Sequence, residues 1–426
     1  MAALPLTFLK LSYWTRDFPP VVGIRWFNVV VLTITPAISL YGFAILPMRR
    51  ETAIFSIIYY IFSMLGYHRL WSHRSYTACI PLRLFLLFGG TSAVQGSVLW
   101  WAKSHRSHHR HTDTDLDPYN SARGLLWTHI GWMLVKTKQK TGVGMGNVDV
   151  NDLKKDALVR WQHEWYFALA VVWGIIVPVV ATGWIWGDWW GGVYFVGAAR
   201  LTVAHHSTFC INSIAHYLGS TPYDDTLSPR DHLLSAILTM GEGYHNFHHQ
   251  FPMDYRNAYL WYQWDPTKWF IAMCSWFGLA TNLRVFSMNE IEKGMLTMEL
   301  KRLKKVQDGL VWPLKKEQLG VWTWERFQHE SNSRTVVLIS GFIHDATSFV
   351  ASHPGGKRLL KSYAGKDATE VFFGGVYRHS NAAQNLLAMM RVGVIEENKE
   401  TQELILPSER LFIAQRSRRL SQRICS

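Results

Sequence analysis

Long uncharged runs alternate with polar segments along this chain, and that alternation limits what it can fold into. Trp26 to Pro47 carries no charge, and Met48-Arg-Arg-Glu51 closes it. Thr52 to Tyr67 is a second apolar run, Trp165 to Trp186 a third and Trp189 to Cys210 a fourth. A helix needs about 20 apolar residues to cross a bilayer, and hydrocarbon forces a spanning backbone into helices or closed barrels. The four runs pair into two helical hairpins, turning at residues 48–51 and at Gly187-Asp188. Arg200 lies inside the fourth run, so its face must look inward or snorkel. The competing reading is a set of buried core helices in a large soluble protein.

Composition bears on that choice. Lys+Arg 44 against Asp+Glu 31 leaves the chain at +13, a balance that by itself would suit nucleic acid. The charge accompanies apolar runs flanked by Trp, Tyr and Phe, which is the pattern of a membrane interface, so a lipid bilayer and no nucleic acid is expected as partner. Cys79, Cys210, Cys274 and Cys425 form no Cys-x-x-Cys pair and no disulfide framework. A reducing, cytosol-facing setting follows. Residues 1–20 lack a basic stretch followed by an apolar core, so the first run is expected to serve as the insertion signal.

The polar segments carry histidines at short spacings. His245, His248 and His249 fall within five residues, and His105, His108 and His109 repeat the pattern. Spacings of three and four put imidazoles on one face of a helix. His68 and His73 are five apart, roughly 140° around an ideal helix, so they share a face only if the helix ends or bends there. Asn212 and His216 stand one turn apart just past the fourth run. Neutral imidazole suits iron, zinc or copper, and this nitrogen-rich, thiolate-free set favours iron. Nine imidazoles are too many for one metal, while four or five each suit two.

All these clusters must lie on one side of the bilayer. His73 and His105 flank the run from Leu82 to Trp101, which Arg83 and Gly89-Gly90 interrupt, so that run does not cross. Four spans with both termini and every cluster on one side result. The basic segments 102–110 and 301–305 make that side cytosolic. Gly142 to Gly146 reads as a loop, and Ile271 to Ala280 as an interfacial or packed segment. Met288 to Val306 has helical periodicity and a basic end. Trp322 to Val394 changes composition to mixed strands and helices, and a basic tail follows.

His68-Arg-Leu-Trp-Ser-His73, Trp101-Ala-Lys-Ser-His-Arg-Ser-His-His109 with Asp113-Thr-Asp-Leu-Asp-Pro118, Asn212-Ser-Ile-Ala-His216 and Gly241-Glu-Gly-Tyr-His-Asn-Phe-His-His249 resemble the motifs of membrane acyl-CoA delta-9 desaturases of the stearoyl-CoA type, in order, over residues 24–285. Phe349-Val-Ala-Ser-His-Pro-Gly-Gly356 with Tyr377-Arg-His-Ser380 resembles cytochrome b5, as in the fungal form of that family with a fused cytochrome. The resemblance implies two iron ions held by His68, His73, His105, His108, His109, His216, His245, His248 and His249, with Asn212 contacting the centre through water. It implies a haem b held by His353 and His379, and no catalytic side chain beyond the metal centre. Gln95, Trp101 and Thr208 would shape a bend in the acyl tunnel, and Tyr60 would close its end, favouring chains near sixteen carbons. Lys103, Arg106 and Arg110 could meet coenzyme A phosphates or be solvated charges, and Asp113, Asp117 and Glu242 could orient imidazoles or cap helices. His111, His205 and His206 are read as non-ligands.

The expected fold is mainly α: a four-span membrane domain of two hairpins with a cytosolic histidine-rich cap, over 1–286, a linker helix at 287–318, an α+β cytochrome b5-like domain at 319–397 and a basic tail at 398–426. The expected setting is the endoplasmic reticulum membrane. The partners implied are acyl-CoA, O2 and an NADH-cytochrome b5 reductase, since the chain shows no Gly-x-Gly-x-x-Gly motif of its own. Rival readings are a membrane fatty-acid hydroxylase or delta-12 desaturase, and a non-catalytic membrane-anchored electron carrier.

Overall fold

The computed structural model describes residues 20–137, 148–374 and 379–396. The expectations for residues 1–19, for the loop at 142–146, for 377–378 and for the tail from 398 lie outside the described residues. The chain divides into two compact units, Met1–Leu300 and Lys301–Ser426.

The first unit is mainly helical. Among the described residues, Trp26–Ile45 and Tyr166–Trp186 are the two helices long and apolar enough to cross a membrane. Their side chains face outward, with Leu40 70% and Trp184 79% exposed. The second and fourth runs are shorter or broken. Arg50–Met64 has 15 residues, and the rest of that run goes into a wider turn that carries His68. The fourth run is wound as π-helix over Gly192–Ala199 before the α-helix Arg200–Asn212. Gly192 is required there, because a Cβ would meet Thr182 Oγ1 at 2.1 Å.

Polar contacts hold the runs together where lipid could not satisfy them. Thr52 donates to Asp188, Trp186 Nε1 donates to Thr52 Oγ1 at 2.9 Å, and Arg49 reaches the Trp186 carbonyl at 3.1 Å. The segments around residues 49–52 and 186–188 are thereby stapled to each other. Arg200 points inward: it donates to the carbonyls of Ser92 at 2.6 Å, Gly174 at 2.7 Å and Val196 at 3.0 Å, and lies over the Tyr59 ring. One guanidinium fork thus satisfies carbonyls on three segments.

The run from Leu82 to Trp101 is two helices, Ile80–Ser92 and Val98–His111. The turn between them holds Val94 at φ +54° and Gly96 at φ +101°. A β-branched residue in the left-handed region is strained, and such strain persists only where the surroundings over-determine it. Tyr67, Trp71, Leu86, Leu87, Val98 and Ile271 form the main core beneath the histidines. In the helix Pro266–Trp276, Ile271 is buried while Trp276 is 84% exposed, so that segment is packed on one side and open on the other.

Met288–Asp308 is one helix running through the boundary between the units. The second unit holds a four-stranded sheet in the order Gly320–Trp322, Arg391–Ile395, Phe342–Asp345, Val336–Ile339, with the first pair parallel and the others antiparallel. Its core is Trp322, Phe327, Val336, Leu338 and Ile343. Full burial of Phe327 alone contributes about 1.5–3 kcal/mol.

Candidate metal centre

Four segments bring the histidines together. The helix Val98–His111 starts at Ser97, whose hydroxyl accepts the Trp100 N–H at 3.3 Å, and carries His105, His108 and His109. His245–Gln250 carries His245, His248 and His249. His216 sits on the turn Ile214–Tyr217. His68 and His73 face the same way because Tyr67–His73 is wound as a π turn, with His73 N–H donating to the His68 carbonyl five residues back. That is the bend their spacing demands.

The nine imidazoles form two adjoining groups. His68, His73, His105 and His248 make one, and His108, His216, His245 and His249 the other, each with ligand atoms within 4.8 Å of one another. In the first, Nε2 atoms stand 2.7 Å apart for His73–His105, 3.0 Å for His68–His105 and 3.2 Å for His68–His248. His109 joins it, with Nε2 at 2.9 Å from His248 and 3.1 Å from His105, while its ring stacks on His249 of the second group at 4.2 Å. In the second, Nε2 atoms stand 3.1 Å apart for His245–His249 and 3.2 Å for both His108–His249 and His216–His245.

The protonation pattern fits a metal. Burial, reinforced by the neighbouring rings, holds His73, His105, His109, His245, His248 and His249 well below the ordinary histidine value and His216 at about 3. These rings are neutral at neutral pH, the form that ligates. The Glu242 carboxylate meets His68 Nδ1 at 2.7 Å and Asp117 meets His108 Nδ1 at 3.0 Å. A carboxylate only accepts, so His108, hydrogen-bonded to Asp117, carries its proton on Nδ1 and presents a bare Nε2 lone pair inward, while Glu242 lies beside His68 Nδ1. Lone pairs converging at about 3 Å repel unless a cation lies among them, so this donor set suits two of them.

A buried ion network fixes the first group. Arg69, 3% exposed, donates to Glu242 Oε1 at 2.9 Å and to Asp265 at 2.7 and 2.9 Å. Burial pushes the Glu242 carboxyl up, but His68 and Arg69 outweigh it and hold it at about 2. Arg69 and Asp265 escaped sequence reasoning: the arginine stands inside a histidine motif, but its partner lies 196 residues away. Among the described residues Asp113 meets no imidazole directly, its carboxylate being taken up by Ser121 and Ser228.

The other expected residues lie as follows. Trp101 stacks on His105 with ring centroids 5.0 Å apart. Gln95, in the strained turn, donates to Thr208 Oγ1 at 2.9 Å. The Tyr60 hydroxyl bonds Ser207 Oγ at 3.0 Å and the Leu238 carbonyl at 2.8 Å. Asn212 ends its helix half-buried, and among the described contacts its side chain meets none of the nine histidines. Arg106 is occupied internally, bidentate to Asp152 at 2.8 Å and bonded to the Trp71 and Ser72 carbonyls, so its guanidinium is not free for a phosphate. His205 bonds the Ala93 carbonyl and His206 bonds His129, both away from the two groups.

In the second unit, His353 Nδ1 meets the Gly356 carbonyl at 3.4 Å and His379 Nδ1 the Phe372 carbonyl at 2.8 Å. Both rings are thus held through Nδ1. Gly355 makes room for the first, since a Cβ there would meet His353 Cε1 at 2.9 Å. The Phe372 ring stacks on His379 at 4.2 Å. Two such imidazoles could serve as ligands to a haem iron.

Residues 52–283 match the fatty acid desaturase family, and residues 323–396 match the cytochrome b5-like heme/steroid binding domain. The chain is 46% identical over 383 residues to a probable acyl-CoA desaturase of Schizosaccharomyces pombe, covering 89% of this chain and 79% of that one. It is 45% identical over 386 residues to acyl-CoA desaturase 1 of Saccharomyces cerevisiae, covering 89% and 75%. It is 35% identical over 306 residues to stearoyl-CoA desaturase of Homo sapiens, covering 70% and 83%.

Proposed function

This chain belongs to the fatty acid desaturase family, and on that premise we propose that it is an acyl-CoA delta-9 desaturase carrying its own electron donor. It inserts a cis double bond between carbons 9 and 10 of a saturated acyl-CoA, using O2 and two electrons, in unsaturated fatty acid biosynthesis. The observation that carries the reading is the convergence of nine buried or half-buried imidazoles, eight in two groups of four and His109 against both.

Two irons would be held, one by His68, His73, His105, His109 and His248, the other by His108, His216, His245 and His249, with Asn212 near the second through water. When bound, they supply the O2 activation and hydrogen abstraction that no acid or base side chain can perform on an unactivated C–H bond. The chain's own residues do the rest. Asp117 holds the proton of His108 at Nδ1, and Glu242 sets its charge beside His68. Trp101 covers His105 and shields the centre from water, while the Gln95–Thr208 hydrogen bond fixes the bend that presents carbons 9 and 10. Tyr60, tethered at its hydroxyl, closes the acyl site and favours chains near sixteen carbons.

His353 and His379 would hold a haem b, which would supply one-electron transfer to the desaturase centre. Tethering raises the local concentration of that donor. A separate NADH-cytochrome b5 reductase supplies it. Four spans in two hairpins, with both termini and the centre on the cytosolic face of the endoplasmic reticulum, accommodate the stapled hairpin turns and the inward Arg200. We divide the chain into a desaturase domain at 1–286, a linker helix at 287–318, a haem domain at 319–397 and a tail at 398–426.

The test is the purified protein with NADH, the reductase, O2 and palmitoyl- or stearoyl-CoA, followed by mass-spectrometric location of the double bond. A 9,10 double bond is expected. A hydroxylated product, or a double bond elsewhere, would sink the assignment.

A further inference from the structure

We propose that Ser228 is a positioning residue for the four-imidazole group, relaying the Asp113 carboxylate to His216 through its hydroxyl. The proposal rests on the reading of that group as a metal position. His216 Nδ1 lies 2.6 Å from Ser228 Oγ, which lies 2.5 Å from Asp113 Oδ1. The Ser228 backbone N–H donates to Asp113 Oδ2 at 2.7 Å, so one serine grips both oxygens of the carboxylate. Ser121 Oγ completes the cluster, 2.5 Å from Asp113 Oδ1 and 2.8 Å from Ser228 Oγ.

Counting hydrogens fixes the direction. A hydroxyl has one hydrogen to give, and a carboxylate can only accept. The Ser228 hydrogen therefore goes to Asp113, and the ring nitrogen must be the donor on the other side. His216 keeps its proton at Nδ1 and turns a bare Nε2 toward the group, 3.2 Å from His245 Nε2.

The surroundings hold this relay in place. Asp113 sits at φ +64°, a backbone state that Asp and Asn tolerate better than most residues. The loop behind Ser228 is stitched to both neighbouring elements: Arg230 N–H donates to the Ala215 carbonyl at 2.7 Å, and His245 N–H to the Arg230 carbonyl at 3.3 Å. His108 in the same group is backed directly by Asp117. The four-imidazole group thus draws on two separate carboxylates, whereas Glu242 in the five-imidazole group is shared between His68 and Arg69. Loss of Ser228 should be felt on one side only.

The experiment uses the full-length, iron-loaded protein and counts non-haem iron per haem as an iron chelator is raised. In Ser228→Ala, one of the two irons should leave at about 10- to 100-fold lower chelator than in wild type, while the other leaves where it does in wild type. Mössbauer spectra should show one of two iron environments altered. Asp113→Asn, which keeps the backbone state, should move the same iron in the same direction, and Ser228→Thr, which keeps the hydroxyl, should behave as wild type. Haem absorbance serves as the folding reference. Equal release of both irons, retention of both, or a Ser228→Thr defect as large as that of Ser228→Ala would overturn the relay. Should Ser228→Ala fail to fold, an Asp113→Asn protein indistinguishable from wild type overturns it as well. A wild type without non-haem iron would instead remove the metal reading on which the relay rests.

Discussion

The two histidine sites of this chain are built in opposite ways. The imidazoles of the first unit come from four segments, with contacts such as His68 to His248 bridging 180 residues, and His108 and His248 are no more than 2% exposed. The second unit offers two candidate histidines twenty-six positions apart, each bonded to a nearby carbonyl, and His353 is only half-buried. Hydrogen abstraction from an inert chain requires a dry, rigid cage. Electron transfer requires only a held cofactor near the surface. On the proposed function, the difference in construction follows the difference in task.

That contrast can be broken at four points. The largest effect is expected for His248→Ala, which removes a ring in contact with both His68 and His109. Desaturated product should fall to background while haem absorption stays unchanged, as followed by product analysis and visible spectra on one sample. His379→Ala should do the reverse: the two-histidine haem spectrum and NADH-supported turnover disappear, but non-haem iron remains by elemental assay. Glu242→Gln should weaken iron in the five-imidazole group about 10- to 100-fold, read by chelator competition. It also leaves buried Arg69 with Asp265 as its one remaining anion among the described residues, costing about 1–3 kcal/mol in a denaturation assay. The smallest effect belongs to Tyr60→Ala, which should shift the product ratio from palmitoyl- toward stearoyl-CoA by a few-fold without reducing total iron; an unchanged ratio would remove Tyr60 from the acyl site.

The same contrast explains what could be read in advance. His105, His108 and His109, like His245, His248 and His249, were legible because helical periodicity relates residues three and four apart. The π turn at Tyr67–His73 was legible only as a demand for some bend. Arg69 with Asp265, and Ser228 with Asp113, were not legible, because their partners lie 196 and 115 residues away and serine or arginine alone signals nothing. The apolar runs are helical in the structure, two of them long enough to cross a membrane, but nothing in their sequence showed that the second run would yield its end to His68 or that the fourth would be wound as π-helix at Gly192–Ala199. Those departures come from close packing, which only the folded chain reveals.

The central claim is that the nine imidazoles enclose two irons that act together. Elemental analysis of a preparation first shown to be active tests it most directly. Three irons per chain are predicted, one in haem and two outside it. A fully active preparation in which all the iron is accounted for by haem would contradict the account.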